Sequence, residues 1–266
     1  MMASPHCEKD LYSRTLRVRL SEVDASAFLC VQSLFDWFQD CGCEHTAVLG
    51  ISAAELLKNN HTWVLLKYHV TIHRYPVWNE EVVLTSRRAP LNDLYDLRAY
   101  TITDSSGAVI AEANSAWVVM DFISRKPLRL SRCISKDVLT DKGSIPDNFE
   151  RIMPVKNPHH ITDFRVRISD LDFNRHVNNS IYIGWALEAL PDAFLDSHRP
   201  KSIEVRFVKE ISRGKAVLSE AELLEGTPKT TLHRVSGKGG EGELMRMSVG
   251  WSHEASGGQR QGLWTP

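Results

Sequence analysis

Residues 169–191 read SDLDFNRHVNNSIYIGWALEALP. Asp172, Asn174 and His176 occupy alternate positions, Asn178 and Asn179 follow, and the composition then turns apolar. The change marks a polar loop feeding a helix. Ile181, Trp185 and Ala189 recur at spacings of four, Tyr182 and Ala186 lie beside them, and Pro191 ends the run, which is the pattern and the stop of a helix. Asn178 or Asn179 supplies the N-cap, a side-chain oxygen that accepts from an exposed backbone N–H of the first turn. Ile183 and Leu187 fill most of the remaining circumference, so this helix is expected to be buried all round. Gly184 costs about 1 kcal/mol against alanine in a helix interior; close approach of a sheet to the helix backbone is the reason the pattern suggests. The expected unit is a buried helix wrapped by a sheet, its N-terminus opening onto a polar cluster.

The same unit occurs earlier. VRLSEVDASAFLCVQSLFDWFQD (Val18 to Asp40) aligns without a gap to VRISDLDFNRHVNNSIYIGWALE (Val166 to Glu188), with five identities and four close matches over 23 positions. Val18, Arg19, Ser21, Asp24 and Trp37 recur as Val166, Arg167, Ser169, Asp172 and Trp185. Two copies of one unit explain this. They differ where polar chemistry sits: Asn174 and His176 face Ser26 and Phe28, and Asn178 and Asn179 face Cys30 and Val31. One polar site per chain is expected, in the second copy, with the first left to packing or to an apolar ligand.

After its helix the first half reaches Gly50, a helix stop, and a capping-box pattern at Ser52 and Glu55 for a short second helix. Strands are expected in WVLLKYHVTIHRYP, EEVVLTSRRAP and LYDLRAYTITDSSGAVIAEANSAWVVMDF, with DSSG as a hairpin turn. Residues 131–160, with Pro146, Pro154 and Pro158, read as a linker carrying one helical turn around Asp147 to Ile152. The second half repeats the plan through FRVRI, SIEVRFVKEI, AVLSEAELLE, KTTLHRVSG and ELMRMSVGWS. One long helix and a run of antiparallel strands, twice, is an α+β arrangement. The expected divisions are a tail at 1–10, a first unit at 11–130, the linker, a second unit at 161–253 and a tail at 254–266.

With 266 residues, 42% of them hydrophobic, the chain can bury a full core as one domain or two. A formal net charge of -1 argues against a nucleic-acid binder working by bulk charge, and no apolar run is long enough to span a membrane. The N-terminal residues lack the apolar core of a secretory signal. Five cysteines with no CxxC pair fit reduced thiols in a cytoplasmic protein, Cys30 and Cys41 packing as small hydrophobes. His69 and His73 share a strand face rather than a helical zinc motif, so no metal is expected, and no cofactor.

The pattern DxNxHVNNxxYxxWxLE, with a Glu in a later second-half strand, resembles the acyl-ACP thioesterases, a plant plastid and bacterial family built as a double hotdog. The resemblance runs from about Leu11 to Trp251. It implies a hotdog in each half, a catalytic second half, a first half that holds the fatty chain, and acylated carrier protein as the substrate partner. Carried over, the family's catalytic Asp, Asn and His fall on Asp172, Asn174 and His176, and its strand Glu on Glu210. Plant members often follow that Glu with a Cys; this chain has Ile211, so no thiolate acts there. A bacterial-type cytoplasmic enzyme fits the missing transit peptide, and two hotdogs in one chain make either a monomer or a homodimer viable.

The residues support that chemistry independently. A thioester carbonyl needs a donor for its developing oxyanion, and the helix start at Val177, Asn178 and Asn179 offers N–H groups at a positive dipole end. A His or a partly buried carboxylate can serve as base for water. The expected division has Glu210 and His176 activating water, Asn174 orienting it or the carbonyl, and Asp172 fixing the loop; direct attack by Asp172 through an anhydride is the rival. Phe28, Leu34, Phe35, Trp37 and Phe38 are the candidate acyl-chain pocket. Arg199, Lys201, Arg206, Lys209, Arg213 and Lys215 surround Glu210 in sequence and could meet an acidic carrier, a solvated strand surface being the alternative. An acyl-CoA thioesterase and a non-hydrolytic acyl binder are the competing functions.

Overall fold

The computed structural model describes residues 6–8, 11–139, 144–226 and 229–253. In chain order the elements are β1 (His6–Glu8), β2 (Leu11–Arg17), α1 (Val31–Val48), α2 (Ala53–Leu57), β3 (His61–Ile72), β4 (Glu81–Pro90), β5 (Asp96–Thr103), β6 (Val109–Asp121) and β7 (Pro127–Leu128). Then come α3 (Leu130–Cys133), α4 (Lys136–Leu139), β8 (His160–Arg165), α5 (Asn179–Leu187), α6 (Asp192–Leu195), β9 (His198–Phe207), β10 (Ala216–Leu224), β11 (Thr230–Gly237) and β12 (Gly242–His253). Short 3-10 turns at Leu20–Glu22 and Ile168–Asp170 precede the two long helices.

The chain divides into two compact units, residues 1–22 with 34–149 and residues 23–33 with 150–266. The boundary is not only at the proline-rich linker. The loop Val23–Ser33, the first copy's counterpart of the polar loop, counts with the second unit.

The first unit's strands lie in the order β1-β2-β4-β5-β6-β3, all antiparallel, with β7 added beside β6. In the second unit the order is β9-β12-β11-β10-β8, again antiparallel. Setting β2, β4, β5, β6 and β3 against β8, β10, β11, β12 and β9 makes the two orders the same, so the repeat read in 23 residues extends through both units. The α+β plan is as expected.

On α1 the residues Leu34, Phe38, Cys41 and His45, with Phe35, Trp37 and Gly42, are buried, the stripe that a helix presents to a sheet. Phe38 stacks on Tyr100 of β5 with ring centroids 5.0 Å apart, and Phe35 meets Tyr68 of β3 edge-on at 5.1 Å. These rings are the centre of the first core. In the second unit α5 packs on β10, β11 and β12, with Trp185 stacked on Phe164 at 5.8 Å and Tyr182 edge-on to Trp185 at 5.5 Å.

The core of the second unit contains a fully buried histidine. His233 on β11 takes a hydrogen bond from the Thr231 hydroxyl at its Nε2, 2.7 Å away, while that hydroxyl accepts from the Trp251 indole N–H at 2.8 Å. Burial pushes the imidazole down to about 4, the Ala186 carbonyl opposing in part. The native state therefore holds His233 neutral at pH values where an unfolded chain protonates it near 6.5, and the unfolded state binds the extra proton. Stability is expected to fall by about 3 kcal/mol as pH drops from 6.5 toward 4, then to level. Urea midpoints across that range check this: His233→Gln should flatten the slope, and an unchanged slope would refute the assignment.

Three expectations change. The helical turn placed at Asp147–Ile152 is irregular backbone, and the linker's helical turns are α3 and α4. Leu130 and Ile134, buried against Ile51, Leu56 and Val119, pull those turns onto the first core, whereas Phe149 and Ile152 in the Asp147 stretch are only half-buried. The strand read in FRVRI lies at His160–Arg165, because Val166 and Arg167 lead into the 3-10 turn. His6–Glu8, inside the expected N-terminal tail, pairs with Leu11–Ser13. The expected C-terminal tail, 254–266, lies outside the described residues.

Candidate active site

The polar loop is built on one carboxylate. Asp172 Oδ1 accepts from the Asn174 N–H at 2.8 Å and the His176 N–H at 3.1 Å. The Asp172 N–H donates to the His176 carbonyl at 2.8 Å, the Arg175 N–H to the Asp172 carbonyl at 3.0 Å, and Arg175 adopts φ +63°. Asp24 repeats every contact: Oδ1 accepts from Ser26 and Phe28 at 2.8 and 3.1 Å, its N–H reaches the Phe28 carbonyl at 2.8 Å, and Ala27 also stands at φ +63°. A turn this tight leaves amides that no sheet can pair, and the aspartate satisfies them. The second Asp172 oxygen lies 3.4 Å from the Asn174 side-chain nitrogen.

The polar loop runs directly into the start of α5. Asn178 is the N-cap, its side-chain oxygen accepting from the Ser180 N–H at 3.3 Å. Of the three expected oxyanion donors, two are engaged: the Val177 N–H donates to the Ile211 carbonyl at 3.3 Å and the Asn178 N–H to the Asp170 carbonyl at 2.8 Å. This corrects the sequence reading, which could not see those acceptors. The Asn179 N–H has no acceptor among the described residues.

Glu210 arrives from far along the chain. It was expected on a strand, but β9 ends at Phe207 and Glu210 stands in the loop beyond it. That loop is fastened where Ser212 bridges His176, where Ile211 receives Val177, and where the Ile211 N–H donates to the Tyr182 hydroxyl at 3.2 Å. Burial raises the pKa of Tyr182, the Ile211 amide opposes, and the charges of Glu210 and Asp172 raise it further, so the phenol stays protonated. Glu210 Oε2 thereby comes 3.3 Å from His176 Nδ1, both side chains about one-third exposed at 37% and 29%. The structure thus brings His176 and Glu210 together, while the Asn174 side chain is placed against Asp172. Sequence reasoning missed Tyr182 as the anchor, although it stands in the same motif.

The remaining candidates separate. Leu34, Phe35, Trp37 and Phe38 are packed in the first unit, and the Trp37 indole N–H donates to Glu22 at 3.0 Å. Phe28, where the second copy has His176, lies under Arg199, whose guanidinium carbon is 4.3 Å from the ring centroid. Arg199 also pairs with Asp24 at 2.6 Å, which corrects its place among free docking cations: its charge is neutralised inside the unit. Lys215 pairs with Glu241 at 3.3 Å and Lys209 reaches the Glu241 carbonyl at 3.3 Å, while Lys201, Arg206 and Arg213 are exposed. Gly184 is also explained differently: a Cβ there would lie 2.6 Å from the Gln32 side-chain oxygen, so a glutamine and not a sheet occupies the space. Among the described residues no group of three or more His, Cys, Asp or Glu is placed to hold a metal, and no helix is long and apolar enough to cross a membrane.

Residues 9–138 match the acyl-ACP thioesterase N-terminal domain and residues 155–252 the acyl-ACP thioesterase C-terminal domain. The chain belongs to the acyl-ACP thioesterase family. Oleoyl-acyl carrier protein thioesterase 2, chloroplastic, of Arabidopsis thaliana is 24% identical over 260 residues, covering 91% of this chain and 70% of that protein. A second Arabidopsis thaliana relative, oleoyl-acyl carrier protein thioesterase 1, is 26% identical over 224 residues, covering 77% of this chain; the chain spans 62% of that relative's length. The crystal structure of an acyl-ACP thioesterase from Bacteroides thetaiotaomicron superimposes with a TM-score of 0.80 at 23% identity, over 91% of this chain and 98% of that one. With the repeated helix-on-sheet units, the fold of this family member is the double hotdog that the resemblance implied, and its class is thioester hydrolase.

Proposed function

We propose that the chain hydrolyses the thioester of fatty acyl-ACP to free fatty acid and carrier, with His176 and Glu210 as the base for water. The observation that carries this is the 3.3 Å approach of His176 Nδ1 to Glu210. A carboxylate accepting from Nδ1–H fixes the tautomer whose Nε2 lone pair takes a proton. Water attached to Nε2 adds to the carbonyl carbon, its proton passing to His176. The oxyanion meets the Asn179 N–H at the positive end of α5 and the Asn174 side-chain amide. Collapse breaks the C–S bond, and His176 returns the proton to the leaving thiolate. Asp172 serves by holding the loop, the task Asp24 performs where no catalytic groups remain.

The acyl chain is assigned to the apolar first half, with Phe28, Leu34, Phe35, Trp37 and Phe38 as candidate determinants of its length. A cytoplasmic, bacterial setting belongs to the same proposal, supported by the four free cysteines among the described residues, which suit a reducing compartment. The alternative substrate is acyl-CoA, which presents the same thioester and arm. Thiol release from one set of acyl groups, each offered on carrier protein and on CoA, separates them. Turnover is expected on the carrier series, with kcat/KM above that for CoA. Better turnover on CoA would reassign the substrate, and none on either would leave a binder; size-exclusion chromatography decides between monomer and homodimer.

A further inference from the structure

We propose that Arg175 and Arg213 form a receiving site for the phosphodiester of the substrate's phosphopantetheine arm. The inference rests on the thioesterase reading and deepens it.

His176 and Ser212 form an antiparallel bridge, and one residue beyond it on either side stand Arg175 and Arg213. Bridged Cα atoms lie about 5 Å apart and chain neighbours about 3.8 Å, so the two arginine Cα atoms are within about 13 Å. Both side chains are exposed, and among the described residues neither has a carboxylate at ion-pair distance. Neighbouring cations are spent: Arg167 on Asp170 and Lys215 on Glu241. Two uncompensated like charges beside a catalytic histidine are unfavourable on their own, and a shared anion reverses that.

The degenerate copy supplies the independent observation. Gly214 N–H to the Val166 carbonyl and Val166 N–H to the Lys215 carbonyl, at 3.1 and 3.0 Å, recur as Asn79 to Val18 and Val18 to Glu80 at 3.0 and 2.9 Å. Gly214 and Asn79 both carry positive φ, +79° and +66°. This register sets Arg213 against Trp78 and Glu210 against Tyr75, while the loop repeat sets Arg175 against Ala27. The copy that lacks the histidine and the glutamate lacks both arginines too. Ala27 at the same φ shows that the loop needs no arginine to fold, so the residue answers to a ligand. Phe173, 74% exposed where the first copy has Ala25, gives that rim an apolar flank.

The phosphodiester is the anion nearest the thioester on the arm, and guanidinium groups bind phosphate oxygens in pairs. Arg213 is presented from a fixed loop, held by Ile211 on Tyr182 and by Gly214 on Val166.

The test compares S-acyl-4′-phosphopantetheine with S-acyl-pantetheine of the same chain length, using wild type, Arg175→Ala, Arg213→Ala and the double variant. Wild type is expected to prefer the phosphorylated ester about a hundredfold in kcat/KM, each single variant to cut that preference about tenfold through KM, and the double variant to lose it. A wild type without preference, or a double variant that keeps it, would overturn the proposal. So would variants that lose activity on acyl-ACP while the preference between the small esters persists, since the arginines would then serve carrier side chains. If wild type cleaved neither ester and acyl-ACP not at all, the thioesterase reading would fall. Calorimetry with 4′-phosphopantetheine against pantetheine would still decide the site: equal affinity overturns it, and a phosphate-dependent affinity lost in the double variant supports it.

Discussion

His176→Ala is expected to lower kcat by about a thousandfold with KM little changed, because general-base help is present only in the transition state. Glu210→Gln keeps the shape and removes the charge. It should cost about a hundredfold, since the imidazolium that forms in the transition state loses the carboxylate 3.3 Å from Nδ1. The double variant should be no worse than His176→Ala alone, because the two act as one unit. Single-turnover rates on one acyl-ACP, with circular dichroism to confirm folding, provide the measurement. If Glu210→Gln turned over like wild type, Glu210 would be only a neighbour of the histidine.

The second large effect separates two aspartates with the same local geometry. Asp172→Ala orphans the amides of Asn174 and His176, and is expected to cost about 2–4 kcal/mol in stability and about a hundredfold in kcat as the catalytic side chains lose their positions. Asp24→Ala orphans the amides of Ser26 and Phe28 and strips Arg199 of its partner. Its stability loss should be at least as large, with kcat within a few-fold of wild type. Urea titration and steady-state kinetics on both variants read the contrast. In labelled water, a single turnover should place the heavy oxygen only in the fatty acid; label on the protein would instead establish attack by Asp172.

Much of the candidate site was legible because its parts are close in sequence. The alternation Asp172, Asn174, His176 and the cap at Asn178 sit within a few residues, and local hydrogen bonds enforce local patterns. The repeat was legible for the same reason: the loop bonds of Asp24 and Asp172 demand the same residue twice. Glu210 was less accessible, since it was pointed out by family resemblance and placed on a strand that ends at Phe207. Tyr182 was read only as part of the helix pattern and Arg175 was not singled out, because their partners, Ile211 and Arg213, lie in a segment that a reading of one stretch cannot supply.

The sequence by itself determined the two copies, the succession of helix and strands in each, and the polar loop built on Asp172 in the second copy. Periodicity, caps and turns act over a few residues, so the chain states them openly. Only the tertiary structure decided which backbone N–H groups at the helix start are engaged, that Arg199 is tied to Asp24, that Gln32 and not a sheet excludes a side chain at Gly184, and that Glu210 meets His176. Apart from Asn178 on Asp170, eight residues back, each of these is a pairing between segments far apart in the chain. Such pairings are fixed by strand order and loop closure, and those by burial of the whole core.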